Sequence, residues 1–233
     1  MIMRYTKMRS TVFLFIFLLF GINELRADND PDFYWEPKLS TSYKLSTRYT
    51  LQAGANIRQD LQWGTADYSG IRKAEAQVFA TRATFTGNKL SLGYVYSGSN
   101  QFRPSRKVEN RLTFQYKFKT SFISNKFSHR ARFENRFYTE NYFTRLRYRL
   151  SYSAPINGAR LDEGEFYWIV SDEILYNFNN KNHDVENRLS LGLGWLPSKK
   201  QKVQFALQYR GSDINTSEVG HAVFLSTAYY FGI

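Results

Sequence analysis

The sequence contains no cysteine, and after residue 27 it has neither a long apolar run nor a segment with a helical hydrophobic period. Without cysteine there is no disulfide framework to stiffen a small core, and no attachment point for the lipid of a lipoprotein. The one apolar stretch near the start, Thr11 to Ile22, is 12 residues long and follows Arg4, Lys7 and Arg9. It falls short of the ~20 residues a membrane-spanning helix needs. A basic segment, a short apolar one and a polar stretch ending in Ala27 have the form of a cleaved secretory signal, expected over residues 1–27. Leu25 is larger than the small residue usual three positions before a cut, so the cleavage point stays open.

Residues 28–233 read as one domain. Removing residues 1–27 takes four of the 32 Lys and Arg and one of the 20 Asp and Glu, which leaves a net charge of +9. Aromatic residues make up 18% of the sequence, and its mean hydropathy of −0.49 is polar. Positive charge suits nucleic acid, but an exported chain seldom meets any, and many basic residues here alternate with Tyr, Phe and Leu. Nucleic acid is therefore not expected as a partner.

That two-residue alternation is the dominant pattern. Val108, Asn110, Leu112, Phe114, Tyr116 and Phe118 fall on one face of an extended segment, and Glu109, Arg111, Thr113, Gln115 and Lys117 on the other. Phe127, Ala131, Phe133 and Phe137 oppose Ser128, Arg130, Arg132, Glu134 and Arg136 in the same way. After a turn at Thr139 to Asn141, Tyr142, Leu146, Tyr148, Leu150 and Tyr152 oppose Arg145, Arg147 and Arg149. Further strands are expected at Tyr49–Gln59, Leu90–Tyr96, Val185–Trp195, Val203–Tyr209 and His221–Phe231. Less regular ones fall at Phe33–Leu45, Ala74–Phe85 and Phe166–Phe178. This makes eleven, whereas bacterial single-chain barrels have even strand numbers. The expectation is thus an all-β, antiparallel transmembrane β-barrel of 10 or 12 strands, with the discrepancy placed between residues 60 and 86.

Alternation alone does not say which face points outward, because a soluble barrel has the same period with its apolar side chains turned in. The export signal favours a membrane barrel. So do the aromatics near strand ends (Tyr142, Tyr152, Trp195, Tyr209, Tyr229, Phe231) and the gathering of both charge signs on one face. In lipid a sheet must close on itself to satisfy its backbone, and its polar face then lines the lumen. The expected location is the outer membrane of a Gram-negative bacterium. Expected partners are outer-membrane lipid and, given the closing run Tyr229-Tyr230-Phe231, the barrel assembly machinery during biogenesis.

His129-Arg-Ala-Arg-Phe-Glu-Asn-Arg-Phe137, Arg145-Leu-Arg-Tyr-Arg-Leu150, Ser171-Asp-Glu173 and Asn187-Arg-Leu-Ser-Leu-Gly-Leu-Gly194, followed by a closing aromatic strand, resemble the outer-membrane family catalogued as domain of unknown function 2490. The resemblance runs from about residue 33 to the end and supports the barrel. It implies no reaction, so no catalytic residue follows from it.

A hydrolytic site would need a serine activated by a histidine. The three histidines, His129 on the apolar face, His183 in a polar link and His221 opening the last strand, read as interfacial or loop residues. No catalytic residue and no cofactor are expected. Asp30 with Asp32, and Asp162 with Glu163, are the densest acidic pairs outside the strands and read as solvated turns rather than metal ligands. The candidate lumen-lining residues are Arg111, Arg130, Arg132, Glu134, Arg136, Arg145, Arg147, Arg149, Glu173, Glu186 and Arg188, with Glu109 as a further partner. They form either a salt-bridged ladder that fills a narrow barrel or a positive constriction that selects small anionic solutes. Strict alternation puts Glu173 in the lumen and Asp172 in lipid, so a β-bulge near Ser171 is expected to bring both inside. The leading expectation is a small passive channel; the alternatives are a membrane-embedded lipid-modifying enzyme and a noncatalytic structural or surface-binding envelope barrel.

Overall fold

The computed structural model describes residues 31–61, 70–99, 106–120, 127–179, 182–216 and 219–233. The expected leader, residues 1–27, lies outside them, as does Asp30. The described residues form eleven strands: β1 (Asp32–Lys44), β2 (Tyr49–Asp60), β3 (Ile71–Ala83), β4 (Lys89–Ser99), β5 (Lys107–Lys119), β6 (Phe127–Tyr138), β7 (Tyr142–Pro155), β8 (Phe166–Phe178), β9 (His183–Ser198), β10 (Gln201–Ser212) and β11 (Gly220–Gly232). Each pairs with its neighbours in sequence, and β1 pairs with β11, so the sheet is a closed barrel.

The count of eleven corrects the expectation of 10 or 12. Even numbers follow when every pair, including the closing one, is antiparallel. Here the strands alternate in direction, so the first and the eleventh run the same way and the seam is parallel, from Asp32↔Ala222 to Ser42↔Gly232. Each strand drawn from alternation exists; the parity rule, not the pattern, misled. Of the stretch between residues 60 and 86, residues 62–69 lie outside the described residues; among the described ones no extra strand follows β3, which ends at Ala83 and turns through Thr84–Asn88 into β4, with Gly87 at φ +79° where a side chain would be strained. Two ladders shift register, between Arg58 and Gln59 on β2 and between Gln201 and Val203 on β10.

The barrel is built inside out. Leu112 is 50% exposed and Leu207 59%, and Leu92, Phe114, Leu191 and Phe205 also face outward. The alternate positions of the same strands, among them Glu109, Arg111, Thr113, Gln115 and Glu134, are buried in the lumen. Apolar fill is sparse there: Phe79 lies over Gly93 and Tyr167 over Gly194, and Leu175 and Phe224 are enclosed. Outward aromatics pair near both mouths. Phe137 and Tyr142 flank the β6–β7 turn at one; Phe127 with Tyr152 and Phe166 with Trp195 lie near the other.

The bulge expected near Ser171 is absent. β8 keeps continuous register with β7 and with β9, and Ser171, Glu173 and Leu175 point inward as a strict alternation requires. Asp172, at the middle of β8, therefore lies on the outer face, opposite Leu150 and Leu189. Its Oδ1 accepts a hydrogen bond of 2.8 Å from Asn187 Nδ2. An amide on the neighbouring strand, not a bend in its own, supplies the polar partner.

Candidate functional site: the luminal charge ladder

The long β5–β7 segments place a polar or charged side chain at most inward positions, and neighbouring strands hold these in register across the sheet. Two buried glutamates organise the middle of the lumen. Glu173, 1% exposed, takes three arginines: Arg130 Nη2 at 2.8 Å, Arg147 Nη2 at 2.8 Å and Arg149 Nη2 at 2.9 Å. Glu134, 0% exposed, takes Arg147 Nη1 at 3.0 Å, with Arg132 Nη1 at 3.6 Å. Arg147 thus bridges the two carboxylates. Arg132 Nε also donates to Gln115 Oε1 at 2.7 Å.

A second cluster lies toward the mouth where β1 begins. Glu109 accepts from Arg111 Nε at 2.7 Å, from Arg136 Nε and Nη2 at 2.8 and 2.9 Å, and from the Tyr138 hydroxyl at 3.1 Å. Arg111 reaches on to Glu75, which Lys73 also meets at 2.8 Å. Glu186 holds Arg188 at 2.6 Å, and Arg145 Nε donates to Asn177. Near the seam, Arg210 pairs with Glu36 at 2.6 Å while its guanidinium stacks on Phe224 at 3.5 Å.

All eleven lumen-lining candidates therefore face one interior, ten of them in ion pairs and Arg145 hydrogen-bonded to Asn177. Packed charges of this kind, in good geometry, hold a shape; removing one partner leaves a buried charge alone. Chain pattern did not reveal Glu36, Lys73, Glu75 and Arg210 as members, nor Arg58, which lies 3.9 Å from Glu36. β1 and β3 carry aromatic or apolar residues on both faces, such as Tyr34 and Phe79 inside, so the charged positions there did not stand out. Their partners are also remote in sequence, Arg210 and Glu36 being 174 residues apart.

Saturation is incomplete. Arg130 Nε, Arg147 Nε and Arg149 Nε are buried without a hydrogen-bond partner, as is Glu134 Oε2. Lys89, Lys117, Arg130 and Arg149 are successive cross-strand partners on β4 to β7, and the row reaches a carboxylate only at Glu173 on β8. Like charges directly opposite on a sheet repel.

His129 and His183 lie on the outer face, and His221, at the start of β11, is buried. His129 Nδ1 meets the Tyr148 hydroxyl at 2.7 Å and its Nε2 meets Thr120 Oγ1, while Phe118 stacks on the ring. His221 Nδ1 meets the Tyr209 hydroxyl. Of the acidic pairs, Asp32 accepts from the Tyr34 hydroxyl and exposed Glu163 lies 3.8 Å from Lys199. Among the described residues, no group of three His, Asp or Glu converges as a metal ion would require.

The model of a family described as a protein of unknown function, DUF2490, matches residues 34–218. That span runs from the start of β1 into the β10–β11 connection. No curated protein and no solved structure matches the chain.

Proposed function

This chain belongs to the DUF2490 family of proteins of unknown function, and on that footing we propose that it is an integral outer-membrane barrel of a Gram-negative envelope whose lumen is closed by its charge ladder. It serves as a structural envelope component rather than an open pore. One observation carries the reading: the apolar side chains of the strands face outward around a lumen whose carboxylates, Glu134 and Glu173, are sealed beneath arginines. Exposed apolar surface on this scale in water would drive aggregation, whereas in lipid it costs nothing. A leader over residues 1–27 and insertion by the barrel assembly machinery belong to the same proposal.

The test is reconstitution of the full chain into lipid vesicles and a planar bilayer. Insertion with a heat-modifiable compact band and no steady conductance is the expected result. A monodisperse barrel in plain buffer would overturn the membrane reading, and stable openings would overturn the closed lumen.

The row of cations ending at Glu173 favours a second reading, a passive channel for small anions in which the ladder rearranges to open. An anion-selective reversal potential under a salt gradient, lost on neutralising Arg132 and Arg147, would support it.

A further inference from the structure

The lumen is divided by charge. On the side of Glu173 toward the mouth formed by the end of β1, the Thr84–Asn88 turn and the Lys199–Lys200 turn, the strands carry Lys38, Lys89, Lys117, Lys119, Arg130 and Lys202 inward. Between them stand hydroxyls and amides, Ser40, Ser91, Ser128, Ser151 and Gln204 among them. Among the described residues, no strand carboxylate points into this half. The acidic side chains of this mouth, Asp162, Glu163 and Glu165, belong to the outer loop after β7, where Glu163 faces Lys199 and Glu165 accepts from the Asp162 amide.

The two halves also differ in access. Glu109, Glu134 and Glu173 are buried, whereas Lys89, Lys117 and Lys119 are exposed although they point inward. Lys117 lies within electrostatic reach of Lys38, Lys89, Arg130 and Arg132, and Lys202 within reach of Lys89 and Lys119. A cavity of about 290 Å³ opens here, its lining including Lys89, Lys117, Lys119, Ser128, Arg130 and Ser151. The buried Nε of Arg130, which lines it, has no partner, nor has that of Arg149, its cross-strand neighbour on β7.

We propose that this half-lumen binds a polyphosphorylated anion, with Lys89, Lys117 and Arg130 as its main contacts and the Glu173 cluster as its floor. Every charged group offered is a donor, so the ligand must supply acceptors and several negative charges to offset the repulsion along the row. Ammonium groups act as point charges on phosphate, and the hydroxyls of Ser128 and Ser151 in the cavity lining complete its hydrogen bonds. A single small anion would neutralise too little of the row. The phosphate groups can come from a soluble chain or from a lipid headgroup that reaches into the mouth. The site rests on the lumen's geometry and not on membrane residence, so binding in detergent tests it separately from the function proposed above.

The experiment is titration calorimetry of the refolded full chain in detergent with inorganic tripolyphosphate, at two ionic strengths. Saturable binding is expected, weakened by salt. It should also weaken by about tenfold or more in a Lys89→Gln, Lys117→Gln variant, since two point charges leave a partly dehydrated site. Lys117→Arg should retain it, and Lys199→Gln, on the exposed turn, should leave it unchanged. Each variant is first checked for the heat-modifiable band; should the double variant not fold, Lys117→Gln alone is measured. In vesicles doped with a bisphosphorylated lipid, protection of Lys89 and Lys117 from acylation would identify a headgroup as the source; protection only by added tripolyphosphate would identify a soluble ligand. Absence of saturable binding, or equal weakening by Lys199→Gln, would overturn the proposal.

Discussion

Glu173 gathers three arginine side chains on one carboxylate that is 1% exposed. Glu173→Gln keeps the volume and removes the charge, which leaves Arg130, Arg147 and Arg149 facing one another in a closed lumen. The expected loss is about 3–5 kcal/mol of stability, the usual cost of stripping one partner from a buried pair, read as a lower urea midpoint for vesicle-inserted protein. Asp172, its neighbour in sequence, should behave in the opposite way. It faces outward, bonded to Asn187, and on the membrane reading proposed above Asp172→Leu is expected to assemble normally and to gain about 1 kcal/mol, because a mid-strand carboxylate facing lipid is unfavourable. Impaired assembly of that variant would contradict the outward placement. At this scale the sequence was legible where alternation was clean: Arg130, Arg132, Arg145, Arg147 and Arg149 were placed by parity alone. Parity does not say which cation meets which carboxylate across the bore, nor that the amide of Asn187 stands ready beside Asp172, since both depend on how neighbouring strands align.

Among the elements, the seam between β1 and β11 carries the most information. Its parallel register brings Leu39 beside Tyr229 on the outer face. The chain has no cysteine of its own, so Leu39→Cys with Tyr229→Cys gives a clean test of closure. Rapid intramolecular cross-linking under mild oxidation is expected, with little when Leu39→Cys is combined with Leu193→Cys, which lies on β9, separated from β1 by β10 and β11. The reverse ranking would show that the barrel closes by a different pairing. Strand positions in β5 to β7 could be read within a few residues because apolar and polar side chains alternate along most of each strand. The seam could not, because nothing local in β1 or β11 encodes whether its remote partner runs parallel or antiparallel.

For the molecule as a whole, the separation of an apolar exterior from a charged interior unites the fold, the ladder and the cationic half-lumen. Which face turns outward was undecided by period; in the structure the exposed apolar side chains and the buried charges decide it. The most direct measurement places a fluorophore on single cysteines at Leu112→Cys and Lys117→Cys, which lie on opposite faces of the same strand, in the full chain reconstituted into vesicles. A quencher attached to lipid acyl chains should extinguish the label at position 112 and spare that at 117, while an aqueous quencher should do the reverse. Equal quenching at both positions, or a label at 112 reached only from water, would contradict a barrel that turns its apolar face to lipid.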